Sequence, residues 1–94
     1  MTQPELLSFI QKEHEAQLDI IKKKNSDYGA TTDPFANFRM FGELGFLVRI
    51  SDKLSRLKTL TERGSAEVEE SVEDTLRDMA NYANLLLAYR SEKK

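Results

Sequence analysis

The sequence predicts an all-α fold with three main helices, a kinked or broken second helix, and a bundle completed by oligomerisation. Three observations carry that prediction. Apolar residues recur at three- and four-residue steps in each long segment, the repeat of a helix with one buried stripe. The composition is lean, at 39% hydrophobic and 32% charged with no Trp, two Pro and four Gly in 94 residues, which suits a helical chain that needs partners to bury its surface. The last helical segment is also long for so small a domain. A lone three-helix monomer would leave it underpacked, so side-by-side association into a dimer or larger symmetric assembly is expected.

A single domain is expected from this length, with helices at about 3–24, 34–41, 46–63 and 66–91. The first is announced by Thr2 and Glu5, a capping-box spacing, with Pro4 tolerated in the first turn. Leu7, Ile10, His14, Leu18 and Ile21 define its expected buried face. Lys22, Lys23 and Lys24 close it, where cations suit the negative end of the helix dipole. His14, the only histidine, is expected to be a packed or edge residue and not a ligand, and is given no role. Residues 25–34, NSDYGATTDP, are dense in turn formers and predict a loop of about ten residues, a length that is often functional. Asp33 and Pro34 then read as N-cap and first residue of a short helix carrying Phe35, Phe38 and Phe41.

Gly42 and Gly45 predict a kink or turn, after which Leu47, Ile50, Leu54 and Leu57 resume helical spacing up to Gly64, the natural residue just past a helix end. The outer side of this helix is expected to carry Arg49, Asp52, Lys53 and Arg56. Ser65 is placed to cap the final helix, whose first turns are expected to hold Glu67, Glu69, Glu70 and Glu73. Its expected buried stripe is Val72, Leu76, Met79, Ala83 and Leu86. Glu70, Asp74, Asp78 and Asn81 then fall on a second, polar stripe.

Several function classes drop out. A net charge of −2 lacks the basic footprint of a non-specific nucleic-acid binder, so duplex DNA is not the expected ligand. Without cysteine there is no disulfide framework, thiolate zinc site or cysteine nucleophile, which suits the cytoplasm. No signal-peptide pattern and no apolar run of membrane-spanning length occurs, so no membrane is expected. Neither glycine-rich phosphate motif is present.

Two groups of polar residues remain. Asp74 and Asp78, one turn apart, could share a Mg²⁺ with Asp52 from the preceding helix, since hard cations take carboxylate oxygens. Arg49, Lys53 and Arg56 would then hold the phosphates that accompany the metal, and the metal would activate water for attack. The plainer reading pairs Asp52 with Arg56 and both Asp74 and Asp78 with Arg77, as surface ion pairs. The aromatic tract likewise has two readings. It staples the loop to the core, or it forms a wall for a flat ring, with Asn37 reading a base edge.

Four motifs taken together carry a resemblance: Asp27-Tyr28-Gly29, the run from Asp33 to Phe38, Arg49 to Leu57, and Glu70 to Ala83. In this order they resemble the nucleotide-modification-associated domain family of the first type, small helical proteins common in phages and bacteria. The resemblance implies a nucleotide ligand; with the reading of the residues above, Tyr28, Phe35, Asn37, Phe38, Arg49, Lys53 and Arg56 are expected to contact it, in a cytoplasmic setting, that of the host if the chain is phage-encoded. The final helix is also similar to that of MazG-like and dimeric dUTPase-type all-α pyrophosphatases, which hold Mg²⁺ on a Glu-x-x-Glu and a Glu-x-x-Asp. That similarity would put Asp52 and Asp78 at the metal, beside Asp74 from the spacing above, as metal-binding and catalytic residues of a Mg²⁺-dependent nucleotide pyrophosphohydrolase. Two of the four carboxylates of that pattern are absent here, with Arg49 three residues before Asp52 and Thr75 three before Asp78. The alternatives are a phage protein that sequesters a nucleotide without turning it over, and a structural or adaptor bundle.

Overall fold

A computed structural model describes residues 1–27, 35–64 and 66–92. The fold is all-α, with helices α1 (Gln3–Asp27), α2 (Glu43–Arg63) and α3 (Ala66–Glu92), and a 3-10 turn at Ala36–Phe38 before α2. Among the described residues there is no strand, and no helix is long and apolar enough to cross a membrane. The chain divides into two compact units, Met1–Pro34 and Phe35–Lys94. Tyr28, most of the turn-rich loop, and the Asp33, Pro34 and Ser65 caps fall outside the described residues.

In the first unit the capping box forms as its residue types dictate. The Thr2 hydroxyl donates to Glu5 Oε1 at 2.8 Å, the Thr2 backbone N–H donates to the same oxygen at 3.2 Å, and the Glu5 N–H donates back to Thr2 Oγ1 at 3.3 Å. The Thr2 hydroxyl, followed by its backbone N–H, holds the Glu5 carboxyl below its ordinary pKa, because both donors favour the ionised form. Leu7, Ile10 and Leu18, expected to be buried, are exposed.

In the second unit α2 and α3 form an antiparallel hairpin. Glu43 meets Arg90, Phe46 meets Tyr89 and Lys53 meets Asp78, so rising numbers on one helix meet falling numbers on the other. Gly64 ends α2 in the left-handed region, at φ 67° and ψ 37°, the expected glycine termination.

The sides that face inward differ from the expected ones by the same rotation in both helices. On α2 the less exposed positions include Phe46, Ile50, Lys53, Leu57 and Leu60, while Leu47 and Leu54 are 51% and 58% exposed. On α3 they include Thr75, Met79, Tyr82, Leu86 and Tyr89, with Leu76 48% exposed. Both sets keep the four-three spacing but lie about 60° around the helix from the aliphatic stripes, at about 100° per residue. The physical reason is the aromatic residues. Phe46 has no exposed surface, and its ring lies 6.2 Å from Phe35, 4.0 Å from Phe38 and 5.2 Å from Tyr89. Rings bury more area than leucines and gain further from edge and stacked contacts, so the faces carrying Phe46, Tyr82 and Tyr89 turn inward.

The same cluster explains why the segment expected as a helix at 34–41 is a single 3-10 turn. Phe38 N–H donates to Phe35 O at 2.9 Å and Phe41 N–H to Phe38 O at 3.1 Å. Side chains three apart eclipse in this geometry, which brings Phe35 and Phe38 together onto Phe46, whereas Phe41 stays exposed. Gly42 then turns the chain at φ 59° and ψ −143°, and α2 starts at Glu43 and runs through Gly45 without a break. Only glycine adopts that Gly42 geometry freely. Gly42→Ala is therefore expected to destabilise the second unit by about 2 kcal/mol, read as a lower urea midpoint at unchanged slope.

Candidate functional site

The hairpin places a polar seam beside the aromatic cluster. Lys53, two turns on from Phe46 along the same face of α2, faces α3, and its Nζ lies 3.1 Å from Asp78 Oδ2 with both side chains about a third exposed. Asp78 thus flanks the buried stripe instead of lying opposite it, which is a direct result of the rotation. One turn further along α3, Tyr82 meets Phe38 edge-on at 6.4 Å; both rings are half-buried. On α2, Arg49 and Arg56 are exposed and lie one turn on either side of Lys53, so a row of three cations runs beside the seam.

The remaining candidates are dispersed. Asp74 is exposed and sits 3.5 Å from Arg77, which also approaches Glu73 at 3.9 Å, so the surface-pair reading of Asp74 describes its geometry. Asp52 is exposed on α2. Among the described residues no group of three or more His, Asp or Glu draws together in a way that could hold a metal ion. Phe35 is buried in the core and serves as the staple of the loop end, while Phe38 keeps part of its surface open. Asn37 lies within the 3-10 turn.

Sequence reasoning assigned no role to four α3 residues that shape this region. Tyr82 and Tyr89, seven residues apart and so on one face, were the available signal for the true inward side. Tyr89 is also where Arg39 lodges, its guanidinium 5.9 Å from the centroids of both Phe35 and Tyr89 and its Nη2 2.6 Å from Glu92 Oε1, a cation held over ring faces. Asn81 is buried on the polar stripe beside Asp78. Thr75 is buried as well, but its hydroxyl donates to the Ser71 carbonyl at 2.7 Å and is thereby satisfied.

A family profile described as nucleotide modification associated domain 1 matches residues 24–88. The chain belongs to that family. No curated protein and no solved structure matches it. In this nucleotide modification associated domain the matched residues contain the whole of α2, the 3-10 turn, the aromatic cluster up to Tyr82 and the Lys53–Asp78 seam. The Thr2–Glu5 capping box and the expected apolar stripe of α1 lie outside them.

Proposed function

We propose that this chain binds a nucleotide along the α2–α3 seam and holds it chiefly through cationic and aromatic groups. The family match over residues 24–88 carries the ligand class. The place is supported by Lys53, a half-buried cation with Arg49 and Arg56 one turn before and after it on α2, and by the half-buried Phe38–Tyr82 pair one turn on from Asp78 along α3. Phosphates would take charge-assisted hydrogen bonds from Lys53, Arg49 and Arg56, and the base would lie against the Phe38–Tyr82 edge. Magnesium would arrive on the phosphates, which is how this ion is commonly bound, with Asp78 within reach of it. Binding without turnover is put first because Asp78 and Asp74 are engaged with Lys53 and Arg77; in the pyrophosphohydrolase reading Asp52, Asp74 and Asp78 would instead hold the Mg²⁺.

The test is a panel of ribo- and deoxyribonucleoside triphosphates, with and without Mg²⁺. Melting temperature and pyrophosphate release are followed together. A ligand at a hundred times its Kd adds about 2.7 kcal/mol of stability, so a clear upward shift with no pyrophosphate is the expected result. Pyrophosphate release would favour the hydrolase. No shift with any nucleotide would leave the adaptor reading.

The second part of the proposal is assembly. Leu47 and Leu54 on α2 and Leu76 and Leu87 on α3 are about half-exposed or more, and an apolar face of this kind on a small helical unit marks an association surface. We read it as the side on which second copies complete the bundle. The Leu47→Glu, Leu54→Glu double variant is expected to run as a monomer by light scattering where the parent chain runs as a larger species, while helical content is retained.

A further inference from the structure

Asn81 is 5% exposed, and its side-chain oxygen Oδ1 is sealed from solvent without accepting a hydrogen bond from the protein. A buried carbonyl of this kind is costly, and such groups are rare enough that each calls for a reason. Nothing local supplies one. Asn81 is far from both ends of α3 and caps nothing, and an apolar residue of the same size would cost less at this position. Its location supplies the reason. Asn81 stands three residues from Asp78, so the two are neighbours on one helix face, and Asp78 is the partner of Lys53.

We infer that Asn81 is a ligand-recognition residue whose Oδ1, closed off in the free chain, accepts a hydrogen bond from an N–H or O–H group of the bound nucleotide once the side chains over it give way. This deepens, and rests on, the proposal that a nucleotide lies along the seam. The acceptor must be met by a neutral donor, which a phosphate lacks at neutral pH and which a ribose hydroxyl or an exocyclic amino group provides. Asn81 therefore contributes to selecting a nucleoside, whereas Lys53 and its flanking arginines serve any polyphosphate.

The experiment compares the parent chain with Asn81→Leu and Asn81→Ala, using ATP, dATP, ITP and inorganic tripolyphosphate as probes. Asn81→Leu removes the unpaired carbonyl, so the free protein is expected to melt about 5 °C higher, while ATP binds about tenfold more weakly, the loss of one hydrogen bond. Tripolyphosphate should bind all three proteins alike. A donor on the ribose is indicated if dATP binds the parent as weakly as ATP binds the variant; a donor on the base is indicated if ITP does. Equal ATP affinity in the parent and both variants would overturn the role of Asn81 and leave the seam proposal standing. Failure of the parent to bind any nucleotide would overturn both. If the substitutions change the oligomeric mass and leave ATP affinity as it was, the donor belongs to another subunit and the inference is wrong.

Discussion

Phe46→Ala is expected to remove about 4 kcal/mol from the stability of the second unit, the range for deleting a fully buried aromatic ring. Phe46 has no exposed surface and contacts Phe35, Phe38 and Tyr89. These rings bring the 3-10 turn and both helices of the hairpin to one point. Among the described residues only Phe35 and Tyr89 join Phe46 in the buried core, with Phe38, Leu85 and Leu86 packed partly buried against it, so few side chains are at hand to fill the cavity. Against a total stability of about 5–15 kcal/mol for an ordinary domain, such a loss leaves a substantial unfolded population. Chemical denaturation followed by far-UV circular dichroism reads it directly. A loss below about 1 kcal/mol would mean that the aromatic cluster does not set how α2 and α3 face one another.

The second large effect is on binding, and it carries an opposed pair of signs. Lys53→Ala is expected to weaken nucleotide binding about thirtyfold, the equivalent of about 2 kcal/mol for a charge-assisted hydrogen bond. Asp78→Asn, which removes the carboxylate 3.1 Å from that ammonium, is expected to leave binding intact or tighten it a few-fold, because the cation no longer shares its charge. A three-carboxylate metal cage would give the reverse for Asp78, with binding and any turnover lost together. Neither change should cost much stability. The pair is partly solvated, and exposed ion pairs contribute about 0–1 kcal/mol. Isothermal titration of both variants with one nucleotide, with urea curves alongside, separates the two accounts.

How much of this was legible in the sequence depends on the level considered. The three long helices were, since they rest on local signals: Thr2 and Glu5 at one start, Gly64 at one stop, and three-four spacing throughout. The sides they turn inward were not. Each of α2 and α3 carries two overlapping stripes about 60° apart, one aliphatic and one bearing Phe46 or Tyr82 and Tyr89. Periodicity alone favours the leucines. The choice is made by contacts between residues distant in sequence, such as Phe46 with Tyr89, and so lies beyond any local rule. The site followed the same pattern. Lys53 and Asp78 were picked out by residue type, but both were placed on outward faces, and only the rotation brings them together. The helix expected at 34–41 failed for a related reason: Phe35 and Phe38 reach the core best from a single 3-10 turn, and Gly42 stops the chain from extending it.

The central claim is that a nucleotide lies on the α2–α3 seam, and a titration followed by amide chemical shifts tests it most directly. With ATP added to the isotopically labelled chain, the account predicts that the perturbed amides cluster at Arg49–Arg56 on α2 and Asp78–Tyr82 on α3, with the distal α2 turns near Gly64 unaffected. Perturbations absent from both clusters at saturating ATP, or confined to residues away from the seam, would contradict it.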